Sequence, residues 1–292
     1  MNICVIGDGL ISLTLAKTLV NNKIKVFMYC KNNKKTSRNN RTIGITSNNL
    51  NFFQKEIIKI KKNLFWGIEQ IEIYNEQNKK EKILNFEESK RILFSIIKNN
   101  DLYDLLSRNL KKSNNFKKII IKNKFFYKKI IKNNKYDLII NCDGTNEISK
   151  KYFFRKILKN YESKAYITII NHNRIQNKKA IQIFTKHGPI AFLPISRNQT
   201  SIIYSIKNRS INKKLELSQE EFEKLISTNN KLYEINSINK FETFILKSKN
   251  LRNYYNNNIL AFGNMLHQIH PLSGQGFNMT LRDIRIFLAL LR

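Results

Sequence analysis

The chain has 292 residues, 41% of them apolar and 19 of them Phe, which supplies a real core and argues against wholesale disorder. Lys plus Arg number 53 against 21 Asp plus Glu, a formal charge of +32 that would ordinarily suggest nucleic acid or an anionic membrane. Lys, Asn and Ile are over-used in strands, loops and helices alike, as drift towards A/T-rich codons would leave them. With no recognisable nucleic-acid module or separate basic stripe, a nucleic-acid partner is not expected.

Cys4, Cys30 and Cys142 show neither metal-ligand spacing nor a disulfide framework, which suits a reducing compartment. The N-terminus "MNICVIG" has no basic n-region and enters a strand at once, so a secretory signal is not expected. No apolar run approaches the ~18 to 20 residues of a membrane span. The expectation is a cytoplasmic protein, with the positive charge allowing a peripheral seat on the inner face of a membrane.

The stretch 2–30 reads as βαβ: a short apolar strand, the turn Gly7-Asp8-Gly9, a helix from about Leu10 to Val20, and a strand over Ile24 to Tyr29. Gly7, Gly9 and Ser12 meet the G-x-G-x-x-small pattern in which two glycines let backbone approach a pyrophosphate and the third position packs helix on strand. The acid expected at the end of the second strand, where a ribose would be held, is replaced by Cys30. Residues 90–113 carry an apolar face at helical spacing and predict one helix. A buried strand within 136–150 ends in Asp143-Gly144.

From about Lys151 to Leu251, runs such as "AYITIINH", "AIQIFTKHGPIAFLPIS" and "TSIIYSIKN" alternate as strands. Residues 217–228 predict a short helix with Ser218 as N-cap and Glu221 three residues on. The Lys/Asn runs 111–118 and 128–135 read as surface.

Three of the nine glycines and one of the three prolines fall between positions 263 and 276. Gly263, Pro271, Gly274 and Gly276 look like chain shaped around a ligand, and "FNMTLRDIRIFLALL" after them has helical spacing. A Gly-rich turn feeding a helix N-terminus offers N–H groups and a positive dipole end to an anion or an electron-rich ring. The closing "RIFLALLR" is apolar on most sides, and the chain stops inside this helix. That predicts cover from another chain, either a homo-oligomer or a subunit of a biosynthetic complex.

Taken together, Gly7-Asp8-Gly9, Asp143-Gly144 and Gly263-Asn264 followed by "HPLSGQGFNMTLRD" resemble three signatures of the FAD-dependent aromatic hydroxylases of the para-hydroxybenzoate hydroxylase class. Residues 180–196 and 270–284 are most similar to the ubiquinone-biosynthesis hydroxylases, and "NRTIGITSNNL" (40–50) to the Arg-containing segment of that group. The resemblance implies an α/β fold: a three-layer Rossmann-like FAD-binding domain with a parallel sheet (1–65, 87–150 and 252–292) and an inserted, mainly antiparallel β substrate domain (66–86 and 151–251).

The resemblance further implies a monooxygenase that uses FAD, NAD(P)H and O2 to hydroxylate a polyprenylated phenol. Gly7, Gly9, Ser12 and Cys30 would lie along the pyrophosphate and ribose, with Arg41 by the phosphates. Asp143-Gly144 would approach the cofactor, and Gly263-Asn264 the ribityl chain; Asn264 stands where most members have Asp. Pro271, Gly274, Gln275, Gly276, Phe277 and Asn278 would pass along the ring, while Phe184, Phe192, Pro194 and Tyr204 would line the substrate. No side-chain catalyst is required. His267 and His270 are the nearest acid–base candidates, and a structural or cofactor-adjacent role is the plainer reading of both. The departures at Cys30 and at the C-terminus leave open a second reading, a degenerate homologue acting as an accessory subunit without turnover.

Overall fold

The computed structural model of the protein describes residues 1–31, 40–76, 82–87, 91–121, 123, 125–132, 134–207, 216–268 and 275–291. Its organising element is the strand Asn2–Ile6, an unbroken apolar run of the kind buried on both faces of a parallel sheet. Ile3 and Val5 pack to one side, among the helices Leu10–Asn21, Asn99–Lys111 and Gln275–Leu291. Cys4 and Ile6 pack to the other, with the helices Phe125–Lys132 and Glu147–Tyr152. The result is three layers.

In the central six-stranded sheet the order is Tyr255–Asn256, Ile259–Ala261, Leu138–Asn141, Asn2–Ile6, Lys25–Lys31, Phe116–Ile121. Every neighbouring pair is parallel except the Tyr255–Asn256 hairpin with Ile259–Ala261. The chain leaves Asn2–Ile6 towards one neighbour while the other neighbour arrives from much later in sequence. That split opens a crevice at the carboxyl ends of the strands.

A second, nine-stranded sheet runs His267–Gln268, Glu242–Leu251, Lys156–His172, Gln199–Lys207, Gly188–Pro194, Lys179–Thr185, Gln70–Asn75, Lys82–Glu87, with Ile235–Ile238 paired to Lys156–His172 beside this path. It is antiparallel throughout except where Lys179–Thr185 meets Gln70–Asn75. One face is covered by the helix Gln219–Asn229, whose predicted capping box is present: Glu221 N–H donates to Ser218 Oγ at 3.1 Å and Ser218 N–H to Glu221 Oε2 at 2.8 Å. The other face meets a three-stranded sheet of Thr42–Thr46, Phe94–Lys98 and Phe65–Ile68.

Several expectations need correcting. Residues 90–113 are not one helix: Phe94–Lys98 is a buried strand, and the helix begins at Asn99. A short apolar run satisfies helical and strand periodicity alike, and pairing with Thr42–Thr46 and Phe65–Ile68 decides it. The Lys-rich runs 111–118 and 128–135 do lie at the surface, with only Ile130 buried among their described residues, but they overlap regular elements, the edge strand Phe116–Ile121 and the helix Phe125–Lys132. The last helix buries Phe277, Leu281, Ile284 and Leu288 in its own chain's core; of the residues for which cover from another chain is expected, Leu288 is thus buried within the chain, while Ile286 and Leu290 are exposed. Among the described residues no helix is long and apolar enough to cross a membrane.

Candidate functional site

A cleft of about 560 Å³ opens at the carboxyl ends of the parallel strands. It brings together Gly7, Gly9 and Ser12 from the first turn, Cys30, Arg41, Asp143-Gly144, Asn264, and Gly276-Phe277. These segments lie up to 270 residues apart in sequence. Gly263, Gln275 and Asn278 stand outside the lining, and His270, Pro271 and Gly274 fall outside the described residues.

The two glycines of the first turn do different jobs. Gly7 has φ +120°, where a side chain is strained, and a Cβ there would come to 2.9 Å from Ser12 Oγ. Its N–H donates to the Tyr29 carbonyl at 2.8 Å, tying the turn to the second strand. Ser12, 1% exposed, is small enough to let helix and strand close. Gly9, by contrast, has φ −72° and ψ 172°, a conformation open to any residue, and its absent Cβ would meet nothing within 4 Å. Neither backbone nor packing asks for glycine at position 9.

Gly9 is also the N-cap of the helix Leu10–Asn21, which has neither a side-chain cap nor an acid in its first turn. The first-turn residues Leu10, Ile11 and Ser12 line the cleft, so the amides and dipole of a 12-residue helix are available there to an anion. Gly276, in the first turn of the final helix, likewise has open space where its Cβ would stand.

Charge around the cleft is mixed and organised. Lys31, one residue beyond the position expected to carry an acid, pairs with Asp143 Oδ2 at 3.3 Å and donates to Thr145 Oγ1 at 2.8 Å. Asp143 Oδ1 in turn accepts from the Thr145 N–H at 2.8 Å and hydroxyl at 2.7 Å, which shapes the turn after the strand Leu138–Asn141. Arg41 lies over the Phe244 ring, its Cζ 3.7 Å from the ring centroid, and lines the cleft wall. Cys30 is 2% exposed, its Sγ 3.7 Å from the Ile119 carbonyl. Burial pushes this thiol's pKa up, and Asp8 adds to the shift while Lys118 opposes it. Burial also holds Cys142 up at about 12, so neither thiol is a ready nucleophile.

Two predicted residues serve the fold around the cleft. Gly263, at φ +60°, lies so close to the first helix that a Cβ would reach 2.5 Å from Ile11 Cγ2. Asn278 is 7% exposed and its amide is spent on protein: Oδ1 accepts from Thr46 N–H at 3.1 Å and Asn49 Nδ2 at 3.0 Å, while Nδ2 donates to the Gly44 carbonyl at 2.8 Å. It clamps the final helix to the segment that follows Arg41. His267 faces Asp283 on that helix at 3.5 Å and does not line the cleft.

None of Phe184, Phe192, Pro194 and Tyr204 lines this cleft. Phe192 and Tyr204 point to the sheet face covered by Gln219–Asn229, where Tyr204 stacks on Phe222 at 6.4 Å between centroids, and Phe184 is 41% exposed. Sequence reasoning missed Lys31 and Tyr127. Tyr127 lines the cleft with its hydroxyl buried and without a partner among the described residues, and burial raises its pKa to about 12. The apolar spacing of "FFYKKIIK" was the available signal, hidden by its lysines.

No protein-family model matches the chain. Among curated proteins it is similar to the ubiquinone hydroxylase UbiL of Rhodospirillum rubrum, 24% identical over 152 residues that make up 51% of this chain and 35% of that protein. It is also similar to the mitochondrial ubiquinone biosynthesis monooxygenase COQ6 of Caenorhabditis elegans, 24% identical over 189 residues, 51% of this chain and 42% of that protein. The matches thus span less than half the length of these relatives. Among solved structures, PqsL of Pseudomonas aeruginosa, described as a probable FAD-dependent monooxygenase, superposes with a TM-score of 0.72 at 13% identity, covering 98% of this chain and 84% of that one. The tetrameric form of 2-methyl-3-hydroxypyridine-5-carboxylic acid oxygenase gives 0.69 at 14% identity, covering 97% and 80%. The chain shares the fold of these oxygenases.

Proposed function

We propose that the chain binds FAD in the cleft and acts as a monooxygenase on an aromatic ring, a polyprenylated phenol of ubiquinone biosynthesis, with NAD(P)H as electron donor and O2 as co-substrate. The observation that carries this reading is Gly9: a glycine with no conformational or packing reason to be one, at the uncapped N-terminus of a helix, facing a cleft large enough for a nucleotide. A pyrophosphate laid on the turn accounts for it, since a Cβ would occupy the place of the phosphate oxygens. The residues present therefore fit the cofactor.

FAD, when bound, supplies the redox chemistry of oxygen insertion, and the chain supplies binding and orientation. First-turn amides of Leu10–Asn21 hold the pyrophosphate, and Arg41, fixed by Phe244, adds positive charge. Lys31, already paired with Asp143, takes the ribose end in place of the missing acid. The first turn of the 17-residue helix Gln275–Leu291 presents the positive end of its dipole where negative charge develops. Asn278 keeps that helix in register with the Arg41 segment.

In this reading, 1–65, 87–150 and 252–292 form the FAD-binding domain, while 66–86 and 151–251 form the substrate domain. The experiment is purification followed by desalting: a flavin spectrum that stays with the protein is expected, together with NAD(P)H oxidation that accelerates on adding a prenylated phenol. Retained flavin with no phenol-dependent oxidation would leave an accessory role instead. Absence of flavin after reconstitution would remove the proposal.

A further inference from the structure

A second cavity, of about 290 Å³, lies on the face of the nine-stranded sheet that the helix Gln219–Asn229 covers and shares no lining residue with the cleft. Strand alternation separates the faces. Ala180 packs towards Ile68 and Ile96, whereas Ile181 and Ile183 turn to Phe192, Tyr233 and the helix Gln219–Asn229. The floor of the cavity is this apolar set.

One wall is charged. Glu72, with its side chain 2% exposed, accepts from Lys82 Nζ at 2.6 Å, Lys179 Nζ at 3.0 Å and Gln70 Nε2 at 3.2 Å through Oε1, and from the Tyr74 hydroxyl at 2.8 Å through Oε2. Two of the four donors are ammonium groups, so the charge of Glu72 is already matched and does not recruit a cationic ligand. The two ammonium groups share a single negative charge, and Lys231, over the Tyr74 ring, brings a third positive charge to the lining. Among the described residues, the two ammonium groups on Glu72 carry one positive charge in excess.

We propose that this cavity binds a small amphiphilic carboxylate, with one ring or a short aliphatic chain on Ile181, Ile183, Phe192 and Tyr233 and its carboxylate against the ammonium groups of Lys82 and Lys179. The volume sits at the small end for ligand sites. The proposal is independent of flavin binding.

The probe is phenylacetate, titrated calorimetrically into the full-length protein, with phenethylamine and 2-phenylethanol as cationic and neutral counterparts carrying the same ring. Saturable binding of phenylacetate is expected, at least about tenfold tighter than either counterpart. Lys82→Gln, at a position 46% exposed, should weaken it about tenfold or more, and Leu232→Trp, also 46% exposed, should abolish it by filling the space. Both variants should keep the parent flavin content and melting temperature, so failure of the flavin proposal would not disturb this test. Equal or tighter binding of phenethylamine, no saturable binding of phenylacetate, or unchanged phenylacetate affinity in both variants would each overturn the proposal.

Discussion

Substituting Gly9 and Gly7 separately distinguishes a glycine that a ligand requires from one that the chain requires. At position 9 the backbone is already extended and the Cβ position is empty, so Gly9→Val costs the fold only the small difference between glycine and valine as an N-cap, about 1 kcal/mol. For a chain of this size that moves the melting temperature by roughly 2–4 °C. The same side chain would overpack a bound pyrophosphate, at about 1–3 kcal/mol. That corresponds to FAD affinity weakened roughly 5- to 150-fold. Gly7→Ala should do the reverse to the protein itself: a side chain at φ +120° costs about 1–3 kcal/mol before the 2.9 Å approach to Ser12 Oγ is relieved. The apo form should then melt roughly 2–10 °C lower. Thermal melts of the apo proteins and FAD titrations followed by quenching of flavin fluorescence measure both quantities. Parent-like FAD affinity in Gly9→Val would refute the placement of the pyrophosphate, and a parent-like melt in Gly7→Ala would refute the strain argument.

Three further outcomes are expected. Asn278→Ala leaves the Thr46 N–H, the Asn49 amide and the Gly44 carbonyl without their partner and should cost about 2–4 kcal/mol, read as a melting temperature lower by roughly 5–15 °C; a change under about 1 °C would mean water replaces the clamp. Burial raises the Asp283 pKa and His267 opposes the shift, so the fold favours the protonated carboxyl, and the resulting penalty is absent below the ordinary carboxylate pKa of about 3.9 and grows as pH rises through the elevated one. Asp283→Asn should therefore match the parent near pH 4 and melt higher at neutral pH, and a variant that melts lower at neutral pH would show that the His267 pair outweighs burial. With a formal charge of +32, the protein should bind anionic vesicles with an affinity that falls as salt rises, at about 1 kcal/mol per well-placed Lys; salt-independent binding to neutral vesicles would indicate an apolar anchor instead.

The strand–turn–helix of residues 2–31 was legible because everything that makes it is local: an apolar run, two glycines, a helix of apolar spacing and a second apolar run. The capping box at Ser218 and Glu221 was legible for the same reason. The strand Phe94–Lys98 was not, because its identity depends on partners 52 residues earlier and 29 residues earlier in the chain that no local window contains. Phe116–Ile121 was hidden too, since an edge strand with one exposed face can carry Lys117 and Lys118 and look like a solvated run.

The candidate site divides the same way. Its residue types were visible in the sequence, but their roles were not. That Gly7 answers to the backbone, Gly9 to open space and Gly263 to Ile11 follows from what surrounds each missing Cβ. That Asn278 spends its amide on Gly44, 234 residues away, follows from how the last helix docks. Strand periodicity places Phe192 and Tyr204 on one face of their sheet, yet a period of two does not say what that face meets. The packing of Gln219–Asn229 over one side and of the three-stranded sheet over the other makes that choice, because each face must bury its apolar side chains against something and only the folded chain determines what is there.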